Sequence, residues 1–428
     1  MLEVPTIVPA LIAFGGLVIA IATYVLNRAS RNEQSWRTSE DTVRRVRQKL
    51  KGDRSELQVI AQRDQAKHLY DDKVPLLVKP GWIPQRPLPL SRLALHWQVP
   101  DDADRAIEMA RSRTTRYWPR GRELQDRYHE VIRRLESPDE ELFFDGSSYR
   151  LLDVAPRQYR SDDDKPVLTF TQGWYFDNLD TSDVLSYETA FLVLRKADRI
   201  SPLRRRNPLR GRYRLWLGDP FDFKRRCAIP GVNTLTIRRG EPVPTFILHR
   251  RSASLAQHQG VTHVTPAGEF QPENLSGLAS DGDLNLWRNI CREYGEELLD
   301  IKQARGQPLG LRRDNVMVDT IAGLNRAEQS GSVEVYYLGI GLDPLSWKPE
   351  ILTVAIFEPA AFDEIFADIV DKNEEGELVF GDSETRTGIR FTEYNIDHWA
   401  RIGRMLTAGQ ACLRLAWYHR DFLRLTGD

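Results

Sequence analysis

One segment limits the folds open to this chain more than any other: residues 4–27 contain no charged side chain. An uncharged apolar run of this length is typical of a helix that crosses a bilayer. A cleaved signal peptide is the alternative, because Ala20-Ile21-Ala22 resembles a cleavage site. Glu3 precedes the run, no Lys or Arg does, and the run is longer than the apolar part of a usual signal peptide. The sequence therefore favours a retained anchor in the lipid bilayer.

Charge on the two sides of this run predicts its orientation. Only Glu3 lies before the run, and the arginines that follow it are Arg28, Arg31, Arg37, Arg44 and Arg45. The positive-inside rule then places the N-terminus outside and the later domains in the cytoplasm, as in a single-pass protein of the inner membrane. Three widely spaced cysteines form neither a metal knuckle nor a disulfide framework, which fits a reducing compartment.

Length and composition predict several domains. The chain has 428 residues, of which 41% are hydrophobic and 28% are charged, and this is enough for two or three domains. The predicted order is a transmembrane anchor at 1–28, a juxtamembrane helical stalk at 29–70, a proline-rich linker at 71–100, an α/β middle domain at 101–240, and a C-terminal domain at 241–428. The formal net charge of −1 gives no reason to expect binding of duplex nucleic acid.

The predicted middle domain contains an arginine-rich stretch, residues 203–214, with the sequence LRRRNPLRGRYR. Clustered arginines repel one another unless they meet anions, and phosphates or carboxylates are the obvious candidates. An exposed loop held near anionic lipid headgroups is an equal alternative. Arg204, Arg205 and Arg206 are therefore candidate nucleotide- or anion-binding residues.

The C-terminal domain contains the run Arg292-Glu293-Tyr294-Gly295-Glu296-Glu297. In a helix, Glu293, Glu296 and Glu297 stand at i, i+3 and i+4, so that three carboxylates share one face. A solvated acidic face is one interpretation. A bound divalent cation, which takes oxygen ligands, is the other. Arg292 is placed to pair with Glu296 one turn later.

This run, with Gly268 in a turn ahead of it, resembles the Nudix superfamily. Arg292, Glu293, Tyr294, Glu296 and Glu297 match the REUXEE core of its box, where U is a bulky apolar residue, and Gly268 matches a glycine that precedes the helix. The resemblance implies that Glu293, Glu296 and Glu297 bind Mg²⁺ or Mn²⁺. It also implies action on nucleoside diphosphates linked to another group, and it extends over residues 241–428.

The same stretch departs from the family pattern at two positions. The box glutamate that should stand eight residues before Arg292 falls on Leu284, and the glycine expected after the glutamate pair falls on Leu299. A polar insertion, residues 272–283, also separates the glycine turn from the helix. The lost positions favour ligand sensing, whereas the intact core favours hydrolysis.

The predicted fold class is α+β: a transmembrane helix, a mixed α/β middle region, and a C-terminal Nudix-like α/β/α sandwich. One predicted function is a Mg²⁺- or Mn²⁺-dependent hydrolase with Arg292 and the three glutamates as catalytic residues. The sequence does not name its general base, for which Glu393 and Asp397 are candidates. Such a metal site also predicts that Glu296→Gln and Glu297→Gln, by relieving repulsion among the acids, leave stability level or raise it.

The other predicted function is a module that binds a nucleotide through Gly268, Glu269 and the arginines at 204–206. The chain's architecture resembles the membrane-anchored Nudix-type effectors of bacterial cyclic-oligonucleotide antiphage systems. That resemblance implies a nucleotide second messenger as ligand and a homo-oligomer of anchored subunits that damages the membrane.

Overall fold

The computed structural model describes most of the chain after residue 39. The described residues are 40–99, 107, 127–136, 144–157, 165–197, 211–240, 242–251, 261–301, 315–372, 376–380 and 388–426. They form a mixed α/β structure, and its largest sheet carries helices on both faces.

Within the described ranges the strands form one large sheet and two small ones. The strands are β1 (Leu88–Pro89), β2 (Ala94–Trp97), β3 (Ser147–Ala155), β4 (Val167–Trp174), β5 (Gly231–Arg238), β6 (Thr245–Phe246), β7 (Leu248–Arg251), β8 (Thr262–Val264), β9 (Ala267–Glu269), β10 (Val333–Leu342), β11 (Pro349–Phe357), β12 (Gly376–Val379) and β13 (Ile389–Arg390). The large sheet has the order β1-β10-β11-β5-β6-β13, and β9 also pairs with β5. Since β11 and β5 run parallel with Glu350 opposite Gly231, these two strands start side by side.

The helices cover both faces of the large sheet. They are α1 (Glu40–Gly52), α2 (Arg54–Asp64), α3 (Tyr128–Glu136), α4 (Tyr175–Asn178), α5 (Val184–Ala197), α6 (Arg212–Leu217), α7 (Leu286–Leu299), α8 (Asn315–Ser330), α9 (Pro359–Ile365), α10 (Glu393–Trp399) and α11 (Thr407–Tyr418). A π-helical turn, Leu179–Asp183, joins α4 to α5 in one continuous helical segment.

Alternate residues of β11 pack on opposite faces of the large sheet. Ile351 and Phe357 belong to one buried cluster, which includes the inner side of α7. Leu352 and Ile356 belong to a second cluster, which includes α11. Both faces are covered, and the apolar run is continuous along the strand, as is typical of a strand buried on both sides. The large sheet is thus the middle layer between α7 and α11.

The two small sheets flank this layered body. One has the order β2-β4-β3, and the other has the order β12-β7-β8. The first is joined to the approach to α7, since the Tyr149 N–H of β3 donates to the Phe270 carbonyl at 3.2 Å. The chain between β9 and α7 is therefore held against β3.

The first described helices, α1 and α2, pack on the body of the protein. Val43, Val46 and Leu50 of α1 are buried at helical spacing, and Leu57 and Ala61 of α2 join the same core cluster. Helix α1 lies against α5. Residues 40–64 fall in the predicted helical stalk, and the structure forms two short helices there.

The predicted membrane anchor requires correction. In the part of the chain that the structure describes, no helix has both the length and the apolar character needed to span a bilayer. This finding contradicts the predicted fold class, which begins with a transmembrane helix, and the predicted single-pass membrane location. A spanning helix requires about 20 consecutive apolar residues, and the described helices are shorter or interrupted by charge. The predicted span, residues 4–27, lies outside the described residues.

Candidate ligand-binding site

The acidic run lies on α7, as its spacing predicts. The helix begins where the Asn285 side chain accepts a hydrogen bond from the Arg288 N–H at 3.0 Å, a typical N-terminal cap. Ile290, Tyr294 and Leu298 repeat at four-residue spacing and are buried, so they fix which side of α7 faces the sheet. The Tyr294 hydroxyl bonds to the Thr236 hydroxyl of β5 at 2.7 Å. This packing sets the direction of the glutamates.

Glu297 is directed into the protein toward the turn between β8 and β9. Its Oε2 accepts a hydrogen bond from the Thr265 hydroxyl at 2.7 Å, and its Oε1 accepts one from the Ala267 N–H at 3.1 Å. The residue is only 3% exposed. The two carboxylate oxygens therefore hold the β8–β9 turn and the first residue of β9, the strand that carries Gly268.

Glu293 lies against Gly268, which is in strand β9 and not in the turn that the sequence predicts. A Cβ at Gly268 would stand 2.2 Å from the Glu293 Cδ, so no other residue fits there while that carboxylate keeps its place. Arg292 donates to Glu293 Oε1 at 3.1 Å. Gly268 is held in position by its pairing with Val232 of β5.

Arg292 is a buried cation that organises the outer side of α7. The predicted contact with Glu296 is confirmed, with 3.8 Å between Arg292 Nε and Glu296 Oε1. Arg292 also donates to Asn289 Oδ1 at 2.9 Å. Burial lowers the pKa of Arg292, but Glu293 and Glu296 outweigh that effect and the pKa is raised. Arg292 therefore stays charged and neutralises these two acids.

The three glutamates do not converge on one point. Glu297 holds the β8–β9 turn, Glu296 faces Arg292, and Glu293 lies over Gly268. Among the residues that the structure describes, no group of three or more His, Cys, Asp or Glu side chains is placed to hold a metal ion. The predicted Mg²⁺ or Mn²⁺ ligands, Glu293, Glu296 and Glu297, thus do not fit a shared cation.

A cavity of about 440 Å³ lies beside Glu293. Its roof is α1 and α2, its floor is the starts of β5 and β11, and its walls are β9 and the first turn of α11. We call it the polar pocket. Its cations are Arg47, Lys51, Arg54 and Lys348. Gly268, Glu269 and Glu293, three of the predicted site residues, line it together.

The roof of the polar pocket is tied to the body by polar contacts. On α1, Arg47 donates to Asp183 at 3.4 Å and to the Tyr128 hydroxyl at 3.1 Å. On α2, Gln58 donates to Thr407 Oγ1 at 2.6 Å and to Asp343 Oδ2 at 3.3 Å. The roof is therefore attached at two separate places, and the pocket lies between them.

Asp343 and Lys348 stand at the turn between β10 and β11. Asp343 Oδ1 accepts hydrogen bonds from the Ser346 N–H and hydroxyl, both at 2.9 Å. Burial acts to raise the pKa of Asp343, but Arg54 and the hydrogen bonds from Ser346 and Thr407 outweigh it, so the pKa is lowered. Lys348 pairs with Glu269 at 3.0 Å. Asp343 and Glu269 thus each have fixed partners.

Glu350, on the floor, is a residue that sequence reasoning missed. Its Oε2 accepts a hydrogen bond from Asn233 at 2.8 Å, and it occupies space that a Cβ at Gly231 would fill. Burial raises the pKa of Glu350 to about 7, against the effects of Lys348 and Asn233. A carboxyl with such a pKa in a pocket marks a candidate functional group. The only signal in the sequence is a glutamate at the start of an apolar strand.

Two groups of predicted residues are not part of the polar pocket as described. Arg204, Arg205 and Arg206 lie outside the described residues. Arg214, from the same basic stretch, is buried, donates to the Leu345 carbonyl at 2.8 Å and stacks on Trp347 at 4.5 Å. The candidate general bases, Glu393 and Asp397, are on α10, where Asp397 pairs with Arg414.

Comparisons with known proteins give a weak structural similarity. No family model matches the chain, and no curated protein matches it. Among solved structures, a NUDIX hydrolase from Alicyclobacillus acidocaldarius is similar, with a TM-score of 0.17 and 14% sequence identity over 31% of this chain and 69% of that chain. A similarity this weak does not indicate a function.

Proposed function

We propose that the polar pocket binds a phosphorylated ligand of the nucleotide type. The observation that carries this is Arg54, which lines the pocket with an Nε that is buried and has no hydrogen-bond partner among the described residues. Buried polar groups are nearly always hydrogen-bonded, so such an atom requires an acceptor. A phosphate oxygen matches a guanidinium in both charge and geometry.

The remaining groups of the pocket support an anionic ligand. Helix α11 begins at the pocket with Thr407. The residue at its N-cap position, Leu406, forms no side-chain hydrogen bond to the first turn. The N–H groups of a helix N-terminus favour negative charge. Two pocket acids already have cations, because Asp183 pairs with Arg47 and Glu269 with Lys348.

The size and one wall of the pocket favour a nucleotide over a bare phosphate. A volume of about 440 Å³ lies in the range of small-molecule sites, roughly 300–1,000 Å³. Tyr175 lines the pocket, and an aromatic ring is the usual stacking surface for a base. We assign the phosphate to the side of Arg54 and the base to the side of Tyr175.

The alternative, metal-dependent hydrolysis of nucleoside diphosphate derivatives, has less support from the site. It requires Glu293, Glu296 and Glu297 to share a cation, whereas both oxygens of Glu297 are bonded to the β8–β9 turn. The antiphage role stays a prediction, since no structural observation bears on it.

Calorimetric titration of the purified chain with nucleoside diphosphates, nucleoside triphosphates and cyclic dinucleotides tests the proposal. Arg54→Gln removes a charge-assisted contact of about 1.5–3 kcal/mol, so affinity should fall roughly 10- to 100-fold. Arg63→Gln is the matched control, because Arg63 is exposed at the far end of the same helix and does not line the pocket.

Three results would contradict the proposal. They are no binding of any probe, wild-type affinity in Arg54→Gln, or an equal loss in Arg63→Gln. Chromatography of the same samples reports turnover, which would return the hydrolase alternative to first place.

A further inference from the structure

Glu350 is placed at the floor of the polar pocket by two features of the sheet. It stands opposite Gly231 in the parallel pair β11–β5, and a Cβ at Gly231 would lie 2.3 Å from its Oε2. The glycine therefore leaves room for this carboxyl group to turn into the pocket, where it is half-buried.

The hydrogen bonds of Asn233 fix which oxygen of Glu350 can carry a proton. The Asn233 Nδ2 donates to Glu350 Oε2 at 2.8 Å and to the Ile351 carbonyl at 3.3 Å, and its Oδ1 lies 2.7 Å from His263 Nε2. With both amide hydrogens engaged, Asn233 is always the donor to Oε2. A proton on this carboxyl must therefore sit on Oε1, for which no hydrogen-bond partner is found among the described residues.

Charged groups of both signs act on Glu350. Lys348 beside it and Arg54 on the roof favour its ionised form, whereas Asp343 at the β10–β11 turn favours the protonated form. His263, on β8, is linked to Glu350 through Asn233. Burial is the largest influence, and it raises the pKa of Glu350 to about 7. A further negative charge entering the pocket shifts such a balance toward the protonated form.

We propose that Glu350 binds the ligand in its protonated form, with Oε1–H donating a hydrogen bond to a phosphate oxygen, so that binding takes up one proton from solvent. This rests on the proposed function and adds the regulation of the same site. An ionised carboxylate next to a phosphate would repel it, whereas the neutral acid supplies a donor. The acid is then the second phosphate contact, beside Arg54.

The test requires ligands whose own charge is constant with pH. Dimethyl phosphate, 3′,5′-cyclic AMP and cyclic di-AMP contain only phosphodiesters, which stay singly ionised per phosphate between pH 5 and 9. At pH values below the pKa that Glu350 has in the ligand-free protein, the affinity for these probes should be constant. Above it, affinity should fall roughly tenfold per pH unit, because each complex must first bind a proton. Titrations at pH 8 in buffers of different ionisation enthalpy should show an uptake approaching one proton.

Two substitutions separate the proton from the side chain. Glu350→Gln keeps a donor at every pH, so it should bind the probes with an affinity that no longer changes between pH 6 and 9. Glu350→Ala should bind weakly throughout. Glu377→Gln is the control, because Glu377 lies on β12 outside the pocket, where it is half-exposed and pairs with Arg250 of β7. This variant should keep the wild-type dependence of affinity on pH.

The outcomes distinguish this inference from the function on which it rests. Binding by the wild type that is flat or rises with pH would refute the proton uptake and leave the phosphate pocket in place. A Glu350→Gln protein with the wild-type slope would do the same. No binding of any probe from pH 5 to 9 would refute both.

Discussion

Glu297 offers a direct test of how α7 uses its acidic residues. Replacing Glu297 by Gln changes one oxygen to an amide nitrogen and leaves the size of the side chain nearly constant. In the folded protein one carboxylate oxygen faces the Thr265 hydroxyl and the other faces the Ala267 N–H. The hydroxyl can rotate and accept a hydrogen bond, but the N–H can only donate. Glutamine can therefore satisfy both partners only when its oxygen faces Ala267.

The magnitude follows from the burial of this site. Glu297 is 3% exposed, and its partner Thr265, in the β8–β9 turn, is fully buried. The substitution exchanges a charge-assisted bond for a neutral one and requires Thr265 to reverse its role. A hydrogen bond to a charged group contributes about 1.5–3 kcal/mol and a neutral one about 1 kcal/mol. We expect Glu297→Gln to lower the free energy of unfolding by about 1–2 kcal/mol, the opposite of what a metal site of repelling acids predicts.

Urea denaturation at constant pH, without added metal, measures this difference. Glu296→Gln is the matched control on the same helix, because Glu296 is partly exposed and its contact with Arg292 is long, at 3.8 Å. An ion pair of that kind contributes less than about 1 kcal/mol. If Glu297→Gln proves as stable as the wild type, or no less stable than Glu296→Gln, the assignment of Glu297 to the turn is wrong.

Two further predictions concern the core of the sheet and the pocket floor. Tyr294→Phe removes the hydroxyl that bonds to Thr236 Oγ1, and Thr236 itself donates to the Thr265 carbonyl at 2.6 Å. The change should lower the free energy of unfolding, measured in urea, by about 1 kcal/mol. An unchanged urea midpoint would contradict this hydrogen bond. Glu350 has a pKa raised to about 7, above its unfolded value near 4.3, so it lowers wild-type stability as pH rises between these two values. Glu350→Gln should therefore gain stability relative to the wild type from pH 5 to pH 8, on the order of 2 kcal/mol, and a constant difference across that range would count against the raised pKa.

Local pattern was enough to predict the acidic helix and its immediate surroundings. Helical spacing predicts α7 and the contact of Arg292 with Glu296, and both are confirmed. The turn predicted around Gly268 is wrong, since Gly268 lies in strand β9, although it does lie against Glu293. The confirmed relations hold within one element. They depend on the pitch of a helix and on chain connectivity, which the sequence contains directly.

Spacing could not predict what each carboxylate contacts. The positions i, i+3 and i+4 place three glutamates on one side of α7, but the Thr265 hydroxyl that bonds to Glu297 belongs to a turn 32 residues earlier. The polar pocket depends on still longer separations, such as the 285 residues between Gln58 and Asp343. Glu350 owes its position to Gly231 on the neighbouring strand, a relation that appears only once β5 and β11 are known to be parallel.

The polar pocket contains about as many acids as bases, so its ability to hold an anion depends on how each acid is neutralised. Asp183 and Glu269 are paired with cations, and Asp343 is surrounded by hydrogen-bond donors and Arg54. Glu350 has only a neutral amide and more distant cations, and burial then favours the uncharged acid. A proton is the neutralising partner that remains for it. Arg54, whose buried Nε has no described acceptor, and Glu350, whose pKa is raised to about 7, line the same pocket. That combination is what a phosphate requires from a site: a fixed positive charge and a hydrogen-bond donor beside it.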